Sequence, residues 1–134
     1  MGLRREGDHW VWVGGPVPPG SDAITIWRVI SVRKASADDA HLMRHEQEHL
    51  RQWRELGILR FLEQYLGAYL RWRVRGYGHR AAYCLIPLEV EAEQAAVDAD
   101  EARGAVTASA AEAAPAAEAT PHEPSGEATA PPVT

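Results

Sequence analysis

Apolar and polar positions divide the first 97 residues into four pieces. Trp10, Val11, Trp12 and Val13 form a short strand-like run, and the Gly14, Gly15, Pro16, Pro18, Pro19 and Gly20 that follow break regular structure. Residues 24–33 hold Ile24, Thr25, Ile26, Val29, Ile30 and Val32, and this β-branched density predicts the best strand of the chain. Arg28 interrupts one of its faces and Arg33 closes the other, which predicts an edge strand. A helix is predicted over 37–56. Ser36 and Asp39 stand at capping-box spacing, Asp38 and Asp39 suit the positive end of the helix dipole, and Gly57 stops it. A second helix, over 58–74, is apolar almost all round: Ile58, Leu59, Phe61, Leu62, Tyr65, Leu66, Tyr69, Leu70 and Trp72. Such a helix is expected to be mostly buried or to meet a partner. Residues 75–79 read as a loop. A third helix opens at Pro87, a residue suited to the first helical position, and frays beyond Ala96.

From Asp98 onward the pattern stops. Leu, Ile and all ten aromatic residues lie before this point, while Ala, Pro, Glu, Thr and Ser fill the rest, with Pro115, Pro121, Pro124, Pro131 and Pro132 as helix breakers. A segment with so little to bury cannot offset its chain entropy, so residues 98–134 are expected to be a disordered tail and residues 1–97 the folded domain. The tail also holds the charge. Seven acids and one base give it −6, whereas the twelve acids and thirteen bases of the body give +1, within a net −5 for the chain. A nearly neutral body weighs against nucleic-acid binding. The one basic patch, Arg71, Arg73, Arg75 and Arg80 beside Trp72 and Tyr77, reads first as a solvated helix end whose cations face the negative pole.

Cys84 is the sole cysteine, which excludes an internal disulfide and a thiolate cluster. No apolar run approaches the roughly 18 residues of a membrane span, and no apolar stretch follows the charged start as in a secretory signal. The expectation is a soluble, cytoplasmic protein with no membrane partner. The sequence leaves the oligomeric state open.

The chemistry lies on the first predicted helix, in His45-Glu46-Gln47-Glu48-His49. Histidines at i and i+4 project from one face one turn apart, so both imidazoles reach one ion, and Glu46 lies close enough to accept a proton from water beside it. This is the HExxH arrangement of zinc peptidases. A solvated polar face would carry the same residue types, but the motif sits in the middle of a capped helix with a strand before it. A catalytic zinc needs a third protein ligand and an open position. The candidates are His41, His79, Glu89, Glu91 and Glu93. His41 is i−8 from His49, about 12 Å along the axis, so one ion cannot reach both. Glu89 and Glu93 share one face of the third helix while Glu91 points elsewhere. Glu89 is therefore the better ligand and Glu93 a group that orients a ligand histidine. Tyr77, His79 and Tyr83, between the helices, are candidates for oxyanion or substrate contacts.

The run from Leu42 to Trp53 around the motif, followed by a buried helix and Ile86-Pro87-Leu88-Glu89-Val90-Glu91-Ala92, resembles minimal gluzincin-type metallopeptidase domains. These are small bacterial zincins to which the ImmA/IrrE-type peptidases are distantly related. The resemblance covers residues 24–96. It implies one zinc per chain on His45, His49 and Glu89, Glu46 as catalytic base, a peptide or protein substrate, and an edge strand at 24–33 lining the cleft. Glu48 departs from the small or apolar residue of many such proteins, and the body lacks the second lobe of large peptidases. The expected fold is α+β: short antiparallel N-terminal strands on three helices, with a tail. The expected function is zinc-dependent peptide hydrolysis, the alternative being a zincin-fold binding or scaffold protein without catalysis.

Overall fold

The computed structural model describes residues 2–113. Four strands come first: β1 (Gly2–Glu6), β2 (His9–Val13), β3 (Ala23–Ile26) and β4 (Val29–Val32). They form one sheet in the order β1-β2-β4-β3. The outer pairings are antiparallel and the central β2–β4 pairing is parallel. β1 was not apparent from the pattern. It pairs with β2 through a tight turn in which Gly7 takes a left-handed φ of 60°.

The strand expected over 24–33 is two strands. β3 and β4 fold back on each other with Ile26 opposite Val29, and Trp27 occupies the left-handed region at φ 57°. The reason is one of phase. Thr25 points inward from β3, Ile30 and Val32 point inward from β4, and odd and even positions cannot share a face of one continuous strand. β3 is the sheet edge, as expected of the segment, while β4 lies in the centre.

α1 (Ala40–Val74) is interrupted only at Gly57, whose φ of 72° and ψ of 169° turn the chain and separate the two helical stretches anticipated on either side of it. Its N-cap is Asp39, whose side chain accepts from the Leu42 backbone N–H at 3.0 Å. Ser36 instead ends a 3₁₀ turn (Lys34–Ser36), so the helix starts three residues later than the capping-box reading places it. The turn at Gly57 stacks Phe61 on Trp53, ring centroids 3.9 Å apart. α2 (His79–Cys84) was not expected; α3 (Pro87–Ala113) begins where predicted.

Two apolar clusters hold these layers together. Val11, Ile30 and Val32 of the sheet pack on Leu50 of α1. Trp53, Phe61 and Ala68 of α1 pack on Ile86 and Leu88. Leu88, Ala92 and Ala96 recur every four residues, so α3 presents one buried stripe, and two alanines in it let the helices approach closely. α3 does not fray at residue 97. It stays helical to Ala113, and Asp100, past the expected end, pairs with Arg44 while its Oδ2 lies 2.7 Å from His41 Nδ1. Residues 101–110 are exposed. The rest of the expected tail, 114–134, lies outside the described residues. No helix among the described residues is long and apolar enough to cross a membrane.

Candidate metal centre

α1 and α3 run antiparallel, and their facing turns bring residues 40 positions apart into one buried cluster. His45 Nε2 lies 3.2 Å from His49 Nε2 and 3.1 Å from Glu89 Oε2, and His49 Nε2 lies 3.4 Å from Glu89 Oε1. His49 and Glu89 are buried and His45 is half-buried. Ligand atoms about 2.1 Å from a tetrahedral zinc stand roughly 3.4 Å from one another, close to these separations. The three residues are therefore spaced to share one ion.

Surrounding hydrogen bonds fix which ring atoms face inward. Gln52 donates its amide to the Leu88 carbonyl at 2.9 Å and to Glu91 Oε2 at 3.3 Å, which leaves Gln52 Oε1 to accept from His49 Nδ1 at 2.9 Å. His49 then carries its proton on Nδ1 and presents the lone pair of Nε2. Glu93 Oε2 lies 3.3 Å from His45 Nδ1, an acceptor that favours the same orientation of that ring. Tyr65 donates its hydroxyl to Glu89 Oε1. Two imidazole lone pairs and a carboxylate thus meet in a largely buried space, an arrangement that needs a proton or a cation between them.

Ionisation follows from these contacts. Burial alone would raise the Glu89 carboxyl, but with protons rather than an ion on the inward nitrogens the hydrogen bonds donated by His45 and His49 outweigh it and hold the carboxyl well below the usual range. Burial likewise works against charge on His49, and the hydrogen bond and charge of Glu89 overcome it, so His49 is raised. Burial, reinforced by the Glu89 charge, lifts both Tyr65 and Tyr83, which remain protonated donors. Glu46, 4% exposed, is raised mainly by burial, against the pull of Thr25 and of the two histidines. Thr25 on β3 donates to Glu46 Oε2 at 2.6 Å, and the Trp53 indole donates to the Thr25 carbonyl at 3.2 Å. The edge strand, the motif helix and the aromatic cluster are thereby tied together at the carboxylate.

Of the residues singled out from sequence, His45, Glu46, His49, Glu89 and Glu93 come together here. Glu91 turns aside to Gln52, and His41 contacts Glu93 and Asp100. Tyr83 stands beside Tyr65, ring centroids 6.4 Å apart. Tyr77 and His79 go elsewhere: Tyr77 packs on Trp72, and His79 Nδ1 meets the Tyr69 hydroxyl at 2.9 Å. The loop expected at 75–79 ends at Gly78, and the short α2 that follows begins at His79 on the Tyr69 side and carries Tyr83 one turn on to Tyr65. Thr25, Gln52 and Tyr65 were missed. Gln52, one turn past His49, was the one with a spacing to give it away. Comparison with protein-family models, with curated proteins and with solved structures gives no match.

Proposed function

We propose that the protein is a zinc-dependent, metallopeptidase-like hydrolase of the small zincin kind, acting on a peptide or protein substrate. The observation that carries this reading is the meeting of His45, His49 and Glu89 beside a buried, hydrogen-bonded Glu46. The donor set fits zinc: two imidazoles, each tethered at its outer nitrogen, and one ionised carboxylate. One zinc held there supplies Lewis acidity toward a substrate carbonyl and makes water acidic near neutral pH.

The chain's own residues do the rest. Glu46, more basic than an ordinary glutamate because it is buried, accepts the proton of the attacking water and returns it to the leaving amine. Thr25 aims its carboxylate. Tyr83, exposed at the rim and held protonated, is placed to donate to developing negative charge, whereas Tyr65 is committed to Glu89. The free edge of β3, next to Thr25, offers backbone groups to an extended substrate. The exposed, unpaired Cys84 suits a reducing compartment, and we place the activity in the cytoplasm.

The test is hydrolysis of a broad peptide library by zinc-loaded wild type beside Glu46→Gln. The reading expects cleavage that disappears in the variant while zinc stays bound. Equal rates, or none in either protein, would replace it with the non-catalytic scaffold.

A further inference from the structure

Beyond Gly57, α1 has two apolar faces, and the protein itself covers one. Phe61, Tyr65 and Ala68 turn toward the core and the metal cluster. On the far side Leu59, Leu62, Leu66, Leu70 and Val74 are 84%, 39%, 51%, 58% and 87% exposed. Their spacing of three, four, four and four residues keeps them in one stripe about 22 Å long. Roughly 700 Å² of mostly apolar surface is open here once Ile58 is added, close to the ~800 Å² per partner of a standard interface. A patch of this size on a small chain marks an interaction site.

The charges along the stripe identify the occupant. Glu63 and Arg71 flank it on the same side, four residues either way from Gly67, and both border a 340 Å³ groove that Gly67, Ala68, Pro87 and Leu88 complete. They are about 12 Å apart along the helix, too far to pair with each other. Among the described residues neither has an ion-pair partner. Gly67 sits mid-helix, where glycine costs up to about 1 kcal/mol relative to alanine. A Cβ there would meet nothing within 4 Å, so the packing of the chain itself does not call for a glycine.

We infer that this face binds a second copy of the chain, the two helices antiparallel about residues 66 and 67. In that pairing Glu63 of each copy faces Arg71 of the other, Gly67 lets the backbones close at the axis, and Leu59 meets Val74. A parallel two-fold pairing would carry that flank to opposite sides of the interface and leave Glu63 and Arg71 of both copies without partners. The same surface patch serves both copies, as two-fold symmetry requires. The stripe lies on the far side of the helix from Tyr65, so the dimer leaves the metal cluster open and does not depend on it.

Sedimentation equilibrium of the full chain from micromolar to 200 µM tests this, with far-UV circular dichroism as a control for folding. A dimer is expected, and Leu66→Glu should make it monomeric with an unchanged spectrum. Glu63→Arg and Arg71→Glu should each raise the dimer Kd about three- to tenfold, and the two together should restore it. A monomer at every concentration would overturn the inference. So would a dimer indifferent to Leu66→Glu, or charge reversals that fail to rescue each other. A monomer whose stripe instead binds anionic lipid vesicles in a Leu66-dependent way would assign the face to a membrane surface.

Discussion

Replacing Thr25 by Val keeps the shape of the side chain and removes only the hydroxyl that donates to Glu46 Oε2 at 2.6 Å. Glu46 is 4% exposed, so water cannot take the place of the lost donor. A hydrogen bond to a charged group contributes about 1.5–3 kcal/mol. In a domain of about 100 residues that corresponds to a thermal midpoint roughly 6–15 °C lower. Thermal melts in chelator, at neutral pH, measure this without metal binding. The cost should depend on the charge. In a Glu46→Gln background the same substitution removes a neutral hydrogen bond and should cost about 1 kcal/mol, leaving a coupling of about 0.5–2 kcal/mol between the two positions.

The pH dependence has a definite sign. Burial raises the folded Glu46 carboxyl above its unfolded value, so its contribution to stability is most favourable when protonated and declines as pH rises through the ordinary carboxylate range toward the folded pKa. Removing the Thr25 hydroxyl raises the folded pKa further. The difference between wild type and Thr25→Val should therefore be larger at pH 8 than at pH 4.5. An equal cost in both backgrounds, with no change across pH, would refute the claim that Thr25 works on the Glu46 carboxylate.

Other outcomes follow from the same contacts. Gln52→Leu frees His49 Nδ1 and should weaken zinc binding 10–100-fold in competition with a chromogenic chelator. Glu89→Ala should weaken zinc binding in that assay, whereas Glu91→Ala, which removes only the 3.3 Å contact to Gln52, should retain the metal. Truncation after Ala96 removes Asp100 from Arg44 and His41, a part-exposed network contributing about 0.5–1 kcal/mol, and should lower the melting midpoint by a few degrees. Truncation after Ala110, beyond the last side-chain contact of α3 with α1 among the described residues, should leave the midpoint unchanged.

The sequence carried the parts of this fold that rest on local periodicity. The helices on either side of Gly57, the start of α3 at Pro87 and the i, i+4 histidines are all set within a few turns of chain. That Glu89 and Glu93 would face the histidines while Glu91 would not was also legible, because 100° per residue puts Glu89 and Glu93 on one face. What escaped depends on tertiary context. The β3–β4 turn has neither Gly nor Asn; Trp27 takes the left-handed conformation and packs edge-on against Trp53, 6.4 Å away, a partner 26 residues on. Thr25 becomes a site residue only because that turn brings the edge strand over Glu46. Tyr65 reads as one more apolar position until the bend at Gly57 aims its hydroxyl at Glu89. Past Asp98, α3 meets α1 through Asp100 on His41 and Arg44, nearly sixty residues earlier, and composition alone does not register such a contact.

The central claim is that His45, His49 and Glu89 hold one metal ion. Elemental analysis of the purified full chain by plasma mass spectrometry, wild type beside His45→Ala, tests it most directly. Exposure to equimolar zinc followed by desalting puts both proteins on the same footing. The account predicts about one zinc per wild-type chain and a small fraction of that in His45→Ala, with both proteins folded by circular dichroism. Equal zinc in the two proteins, or none in the wild type, would contradict it. The close approach of the two histidines to Glu89 would then be an ion pair held by a proton.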